Sequence, residues 1–72
     1  MREEIEVLDV VALTCDLPEH GLLRGQVGTI VGRLGSDAFE VEFSDDDGKT
    51  YAMLSVQAGQ LLRLHHHPVQ AA

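Results

Sequence analysis

The chain has 72 residues, of which 44% are apolar and 24% charged, with a net charge of −7 from twelve acids against five bases. A chain this short supplies one small domain that buries only about 60% of the surface its unfolded form exposes, which leaves little room for a deep catalytic cavity. The composition is too apolar for a disordered segment and has no run near the roughly 18 apolar residues of a membrane span, and a single cysteine excludes an internal disulfide and a Cys-based zinc site.

Ile5 to Leu13 is the first apolar run. It is rich in β-branched residues and short for a helix, so it reads as a strand, and its two apolar faces imply that it is central or covered on both sides. Residues 14–25, TCDLPEHGLLRG, are punctuated by Pro18, Gly21 and Gly25 and read as a long loop that Leu17 and Leu22 anchor by folding back. Gln26 to Leu34 is the second strand. Gly28 and Gly32 within it mark bulges or bends, the devices by which a small sheet turns corners.

The third strand has the clearest signal. In AFEVEF, Phe39, Val41 and Phe43 alternate with Glu40 and Glu42, so period two sends the apolar set to one face and both carboxylates to the other. Ser44 to Lys49 contains Asp47-Gly48, the signature of a hairpin turn. Thr50 to Val56 is the fourth strand, again apolar on both parities. Ala58 to Leu61 forms one helical turn, and Leu61, Leu62 and Leu64 close as a fifth short strand. The expected architecture is all-β, a small, partly open five-stranded barrel of the Src-homology-3-like kind in residues 1–64, with residues 65–72 as a flexible tail.

Charge is unevenly placed. Residues 37–47 hold Asp37, Glu40, Glu42, Asp45, Asp46 and Asp47 without a Lys or Arg, and residues 3–19 repeat that imbalance. Such a surface repels the phosphates of nucleic acids and anionic membranes, so neither is an expected partner; a basic protein is. The opening MREEIE lacks the apolar stretch of a signal peptide, and the lone Cys15 agrees with a reducing, cytoplasmic compartment.

Four groups invite a chemical reading. Cys15, Asp16 and His20 share one loop and are the elements a minor hydrolase would use, but no further residue is placed to orient the imidazole. Asp45, Asp46 and Asp47 are adjacent, whereas calcium loops alternate their carboxylates; they read as a solvated turn. His65, His66 and His67 read as an exposed tail. Glu40 and Glu42 stand about 7 Å apart on one strand face and read as an acidic surface, since glycosidase carboxylates flank a cleft. No catalytic residue, metal or cofactor is therefore expected. Tyr51 and Met53, together with Val11 and Leu13, would form an exposed apolar patch if the other parity of their strands faces the core.

Two resemblances add to this. LRGQVGTIV, Leu23 to Val31, resembles the turn-and-strand pattern of KOW-type domains, with Gly25, Gly28 and Ile30 in the matching places. That likeness implies a barrel fold and an alternative role as an RNA- or ribosome-associated domain. Across residues 8–64, LDVVALT, DLPEHGL, RGQVGTIV, AFEVEF, DDDGKTYAML and LLRL are similar to a family of short bacterial proteins known only as a domain of unknown function. That resemblance implies a stand-alone bacterial barrel and brings no activity with it. The expected function is a non-catalytic interaction module that binds a basic protein or a second copy of itself, with Glu40, Glu42, Asp45, Asp46, Asp47, Tyr51 and Met53 as its binding residues. An antitoxin- or immunity-like inhibitor of a basic toxin is a narrower form of the same expectation.

Overall fold

Period two along β3 (Ala38–Ser44) organises the fold. Phe39, Val41 and Phe43 are at most 4% exposed, while Glu40 and Glu42 between them stay half-buried on the opposite face. In the computed structural model, which describes residues 5–65, β3 lies between β2 (Val27–Leu34) and β4 (Thr50–Gln57). β1 (Val10–Leu13) pairs with β2 on one side and with β5 (Leu61–Arg63) on the other. The five strands form one antiparallel sheet in the order β4-β3-β2-β1-β5. The end strands β4 and β5 are not hydrogen-bonded to each other, so the sheet stops short of a closed barrel. The expected all-β, five-stranded, partly open architecture is what the chain adopts.

The pairing places the core. Ile30, Val41 and Leu54 are direct cross-strand neighbours, as are Gly28, Phe43 and Ala52, and as are Phe39 and Val56. Val11 and Leu13 from β1, Leu61 from β5 and Leu22 from the long loop fill the remaining space. The loop is pinned as its leucines imply: Leu17 and Leu22 exchange backbone bonds of 2.8 and 3.1 Å around a 3-10 turn at Pro18–His20. A second 3-10 turn, Ala58–Gln60, leads into β5. Arg33 closes one end of the core, its guanidinium 5.3 Å from the centre of the Phe39 ring.

Both strand glycines have structural causes. The register shifts between Ile30 and Gly32, which is the expected bulge. At Gly28 the strands come so close that a methyl group would stand 2.7 Å from Val41 Cγ1 and 3.0 Å from the Glu42 carbonyl oxygen.

The first strand is shorter than expected. It begins at Val10, because Asp9 ties residues 6–9 into a turn: its Oδ2 accepts the Glu6 amide proton at 2.8 Å, and its own N–H donates to the Glu6 carbonyl at 3.0 Å. Leu8 sits in this turn at φ 80°, so Val7 and Leu8 are exposed rather than covered. The same Asp9 oxygen lies 3.1 Å from Arg63 Nε, tying the turn to β5. Among the described residues no helix is long and apolar enough to cross a membrane. Of the expected tail, residues 65–72, all but His65 lie outside the described residues.

Phe43→Ala is expected to destabilise the fold by about 3–5 kcal/mol through an unfilled cavity. Gly28→Ala should destabilise it by about 1–3 kcal/mol through overpacking. Glu40→Gln should stay within about 0.5 kcal/mol of the parent. Urea unfolding of the three variants checks the register: a Glu40→Gln loss as large as that of Phe43→Ala contradicts it.

Candidate functional site: the acidic sheet face and the edge of β4

The β3–β4 hairpin carries the acidic surface. Glu42 is the direct neighbour of Met53 on β4 and of Thr29 on β2, and Glu40 is the neighbour of Ser55 and Gly32. The outer face of the hairpin therefore brings together Glu40, Glu42 and the 52%-exposed Met53. Glu42 Oε2 accepts a hydrogen bond from the Thr50 hydroxyl at 2.8 Å, which holds the carboxylate against the hairpin.

Asp45, Asp46 and Asp47 lie at the hairpin tip, but they are not equivalent. Asp45 Oδ1 accepts the backbone N–H groups of Asp47 and Lys49, each at 2.9 Å, and the Asp45 N–H donates to the Lys49 carbonyl at 2.9 Å. The Gly48 N–H donates to the Asp45 carbonyl at 3.0 Å, and Gly48 takes φ 80°, which a residue without a Cβ adopts freely and which turns the chain into β4. Asp45 thus builds the turn, and its carboxylate is already engaged by the backbone. Asp46 and Asp47 are exposed.

Tyr51 occupies the bulge where the β3–β4 register shifts between Phe43 and Ser44. Its ring is 6.5 Å from Phe43, tilted by 39°, and its hydroxyl oxygen accepts from Gln26 Nε2 at 2.9 Å. Half of the tyrosine remains exposed. Val11 and Leu13 do not join the patch. They are 0% and 2% exposed, because the parity of β1 that carries them faces the core opposite Gly28 and Leu61. The exposed apolar residues that do continue the outer face are Val27 and Leu62, both cross-strand neighbours of Ala12.

The loop residues that invite a chemical reading are held by structural bonds. Cys15 is half-buried, and its sulfur accepts from Gln60 Nε2 at 3.7 Å. Asp16 Oδ1 accepts the Arg24 backbone N–H at 2.8 Å. No hydrogen bond or ion pair joins Cys15 to His20 among the described residues. His65 is exposed, and His66 and His67 lie outside the described residues.

Period and composition do not reveal the second part of the site. A cleft of about 470 Å³ runs between the long loop, Asp16 to His20, and the free side of β4, where Leu54, Ser55 and Gln57 line it. The backbone pattern shows what β4 offers there. The Ala58 N–H donates to the Asp37 carbonyl at 2.7 Å, and Ile30 N–H donates to Asp9 across β1 and β2 at 2.9 Å. Both fix the same alternation, in which the backbone groups of residues 52, 54 and 56 point to β3 and those of 53, 55 and 57 point away. Gln60 Oε1 accepts the Gln57 N–H at 3.3 Å, leaving Met53 and Ser55 with outward N–H and C=O groups that no described residue satisfies. The only sequence sign of this edge is the eight-residue stretch TYAMLSVQ without a charge.

The chain belongs to the family described as Domain of unknown function (DUF4926), which matches residues 7–63. Neither the curated proteins nor the solved structures contain a match to it.

Asp45→Ala should destabilise the hairpin by about 1–2 kcal/mol, the loss of two backbone bonds to a charged acceptor in an exposed turn, whereas Asp46→Ala should change stability by less than about 0.5 kcal/mol. Thermal unfolding distinguishes the two; equal effects contradict the assigned role of Asp45.

Proposed function

We propose that this member of the family is a non-catalytic protein-interaction module that binds a basic protein partner through the β3–β4 hairpin. One observation carries the reading: the exposed Met53 stands directly opposite Glu42 and diagonal to Glu40 on one continuous sheet face, with Asp46 and Asp47 at its end. The apolar side chain supplies area to bury, and the carboxylates select positive charge and speed its approach. Among the bases, Lys49 lies in the hairpin turn, while Arg33 reaches back over Phe39 and Arg63 is tied to Asp9.

A basic partner is favoured over a second copy of the chain. A symmetric contact through this face would set Glu40 and Glu42 against their own counterparts, and like charges placed opposite each other oppose association. Nucleic acid is disfavoured by the same charge. The half-buried Cys15 thiol suits a reducing, cytoplasmic setting.

The test is fluorescence anisotropy with two labelled peptides, one of alternating lysine and valine and one of alternating glutamate and valine. The lysine peptide should bind, more weakly as salt rises, and the glutamate peptide should not. Glu40→Gln combined with Glu42→Gln should weaken binding by about tenfold while leaving the fold intact. Failure of the lysine peptide to bind, or binding indifferent to salt and to both substitutions, overturns the reading.

A further inference from the structure

We propose that the partner binds as an added strand. An extended segment of alternating apolar and basic residues lies antiparallel along the free edge of β4, in the cleft beside residues 16–20. The inference rests on the acidic-module reading above and specifies its mode of binding and the pattern of its ligand.

Three observations converge on that edge. Met53 and Ser55 present two N–H and two C=O groups outward, a ready template for another strand. The space beside Ser55 is open, because the cleft of about 470 Å³ separates Leu54, Ser55 and Gln57 of β4 from the long loop. The edge also lacks the usual protections, since Thr50–Gln57 carries no charge and no proline and runs for eight residues. The one register shift lies at Tyr51, at the far end from the cleft.

The register sets the ligand pattern. In an antiparallel pair, directly opposed residues share a face and either exchange both backbone bonds or neither. Residues opposite Met53 and Ser55 would exchange bonds with them and project onto the outer face. There they lie two strand spacings, about 10 Å, from Glu42 and Glu40. Two long side chains together span that gap, so lysine or arginine belongs at these positions. The intervening residues point inward, toward Leu54 and Leu17, both packed against the core, and so are apolar. Asp16 and Glu19 on the loop wall add to the negative potential of the cleft. A second copy of β4 would bring no positive charge to any of these carboxylates.

N-methylated forms of the lysine–valine peptide, about seven residues long to match a typical strand, test the mode. Methylating the lysine amides removes the donors that face β4 and should weaken binding by tenfold or more. Methylating the valine amides, which point away from β4, should change it by less than about twofold. In the protein, Ser55→Pro removes an outward donor without breaking a β3–β4 bond and should also weaken binding by about tenfold, while Ser55→Ala should not. If Ser55→Pro does not fold, the peptide pair decides alone. Binding of the lysine peptide that is equally tolerant of both methylation patterns, or lost only on valine methylation, overturns strand addition and leaves the acidic-module reading standing. Absence of binding by the unmethylated lysine peptide overturns both.

Discussion

The alternation along β3 couples the inside of this protein to its outside. Each inward residue of Phe39, Val41 and Phe43 fixes the outward direction of the glutamate beside it. A slip by one residue would bury both carboxylates and expose both phenyl rings, so the hydrophobic drive that forms the core also holds the acidic face in place. The neighbours follow from it. β2 must come close enough to exclude a side chain at Gly28, and β4 must present Ala52, Leu54 and Val56 inward and Met53 and Ser55 outward.

The unpaired edge has the same origin. Five strands in a chain this short enclose a core of nine buried apolar residues, counted among the described residues, before the two ends of the sheet meet. The gap is bordered by the Leu17–Leu22 loop, whose backbone bonds are made within itself rather than to β4. β5 has its inward-facing side satisfied by β1, and Leu61 is capped through the Ala58 carbonyl. Among the described residues, β4 carries open hydrogen-bonding capacity at Met53 and Ser55, next to the strand that bears the outward glutamates. Backbone template and negative charge occur together because neighbouring strands supply them.

Much of the fold was legible because it depends on local pattern. The β3 alternation, the Asp47-Gly48 turn, the bulge near Gly32, the anchoring leucines and the single turn before β5 each follow from residues adjacent in sequence. What was not legible depends on partners far along the chain. A strand apolar on both faces carries no parity signal, so nothing local decides that Val11 and Leu13 face the core while Val10 and Ala12 face out. Residues 5–9 look like strand by composition, but the Asp9 carboxylate, bonded to Glu6 and paired with Arg63, turns the chain and carries Leu8 to a positive φ. Asp45 looks like its two neighbours in sequence and differs only through the backbone groups it accepts. The cleft beside β4 exists only once the loop and the sheet are both in place.

Amide hydrogen exchange of the free chain, read residue by residue by NMR, tests the central claim most directly. Ala52, Leu54 and Val56, bonded to β3, should be protected, while Met53 and Ser55 should exchange at rates near those of exposed amides. Protection of Met53 and Ser55 equal to that of Leu54 in the monomer would mean that the edge of β4 is already paired, which contradicts both the open edge and the added strand.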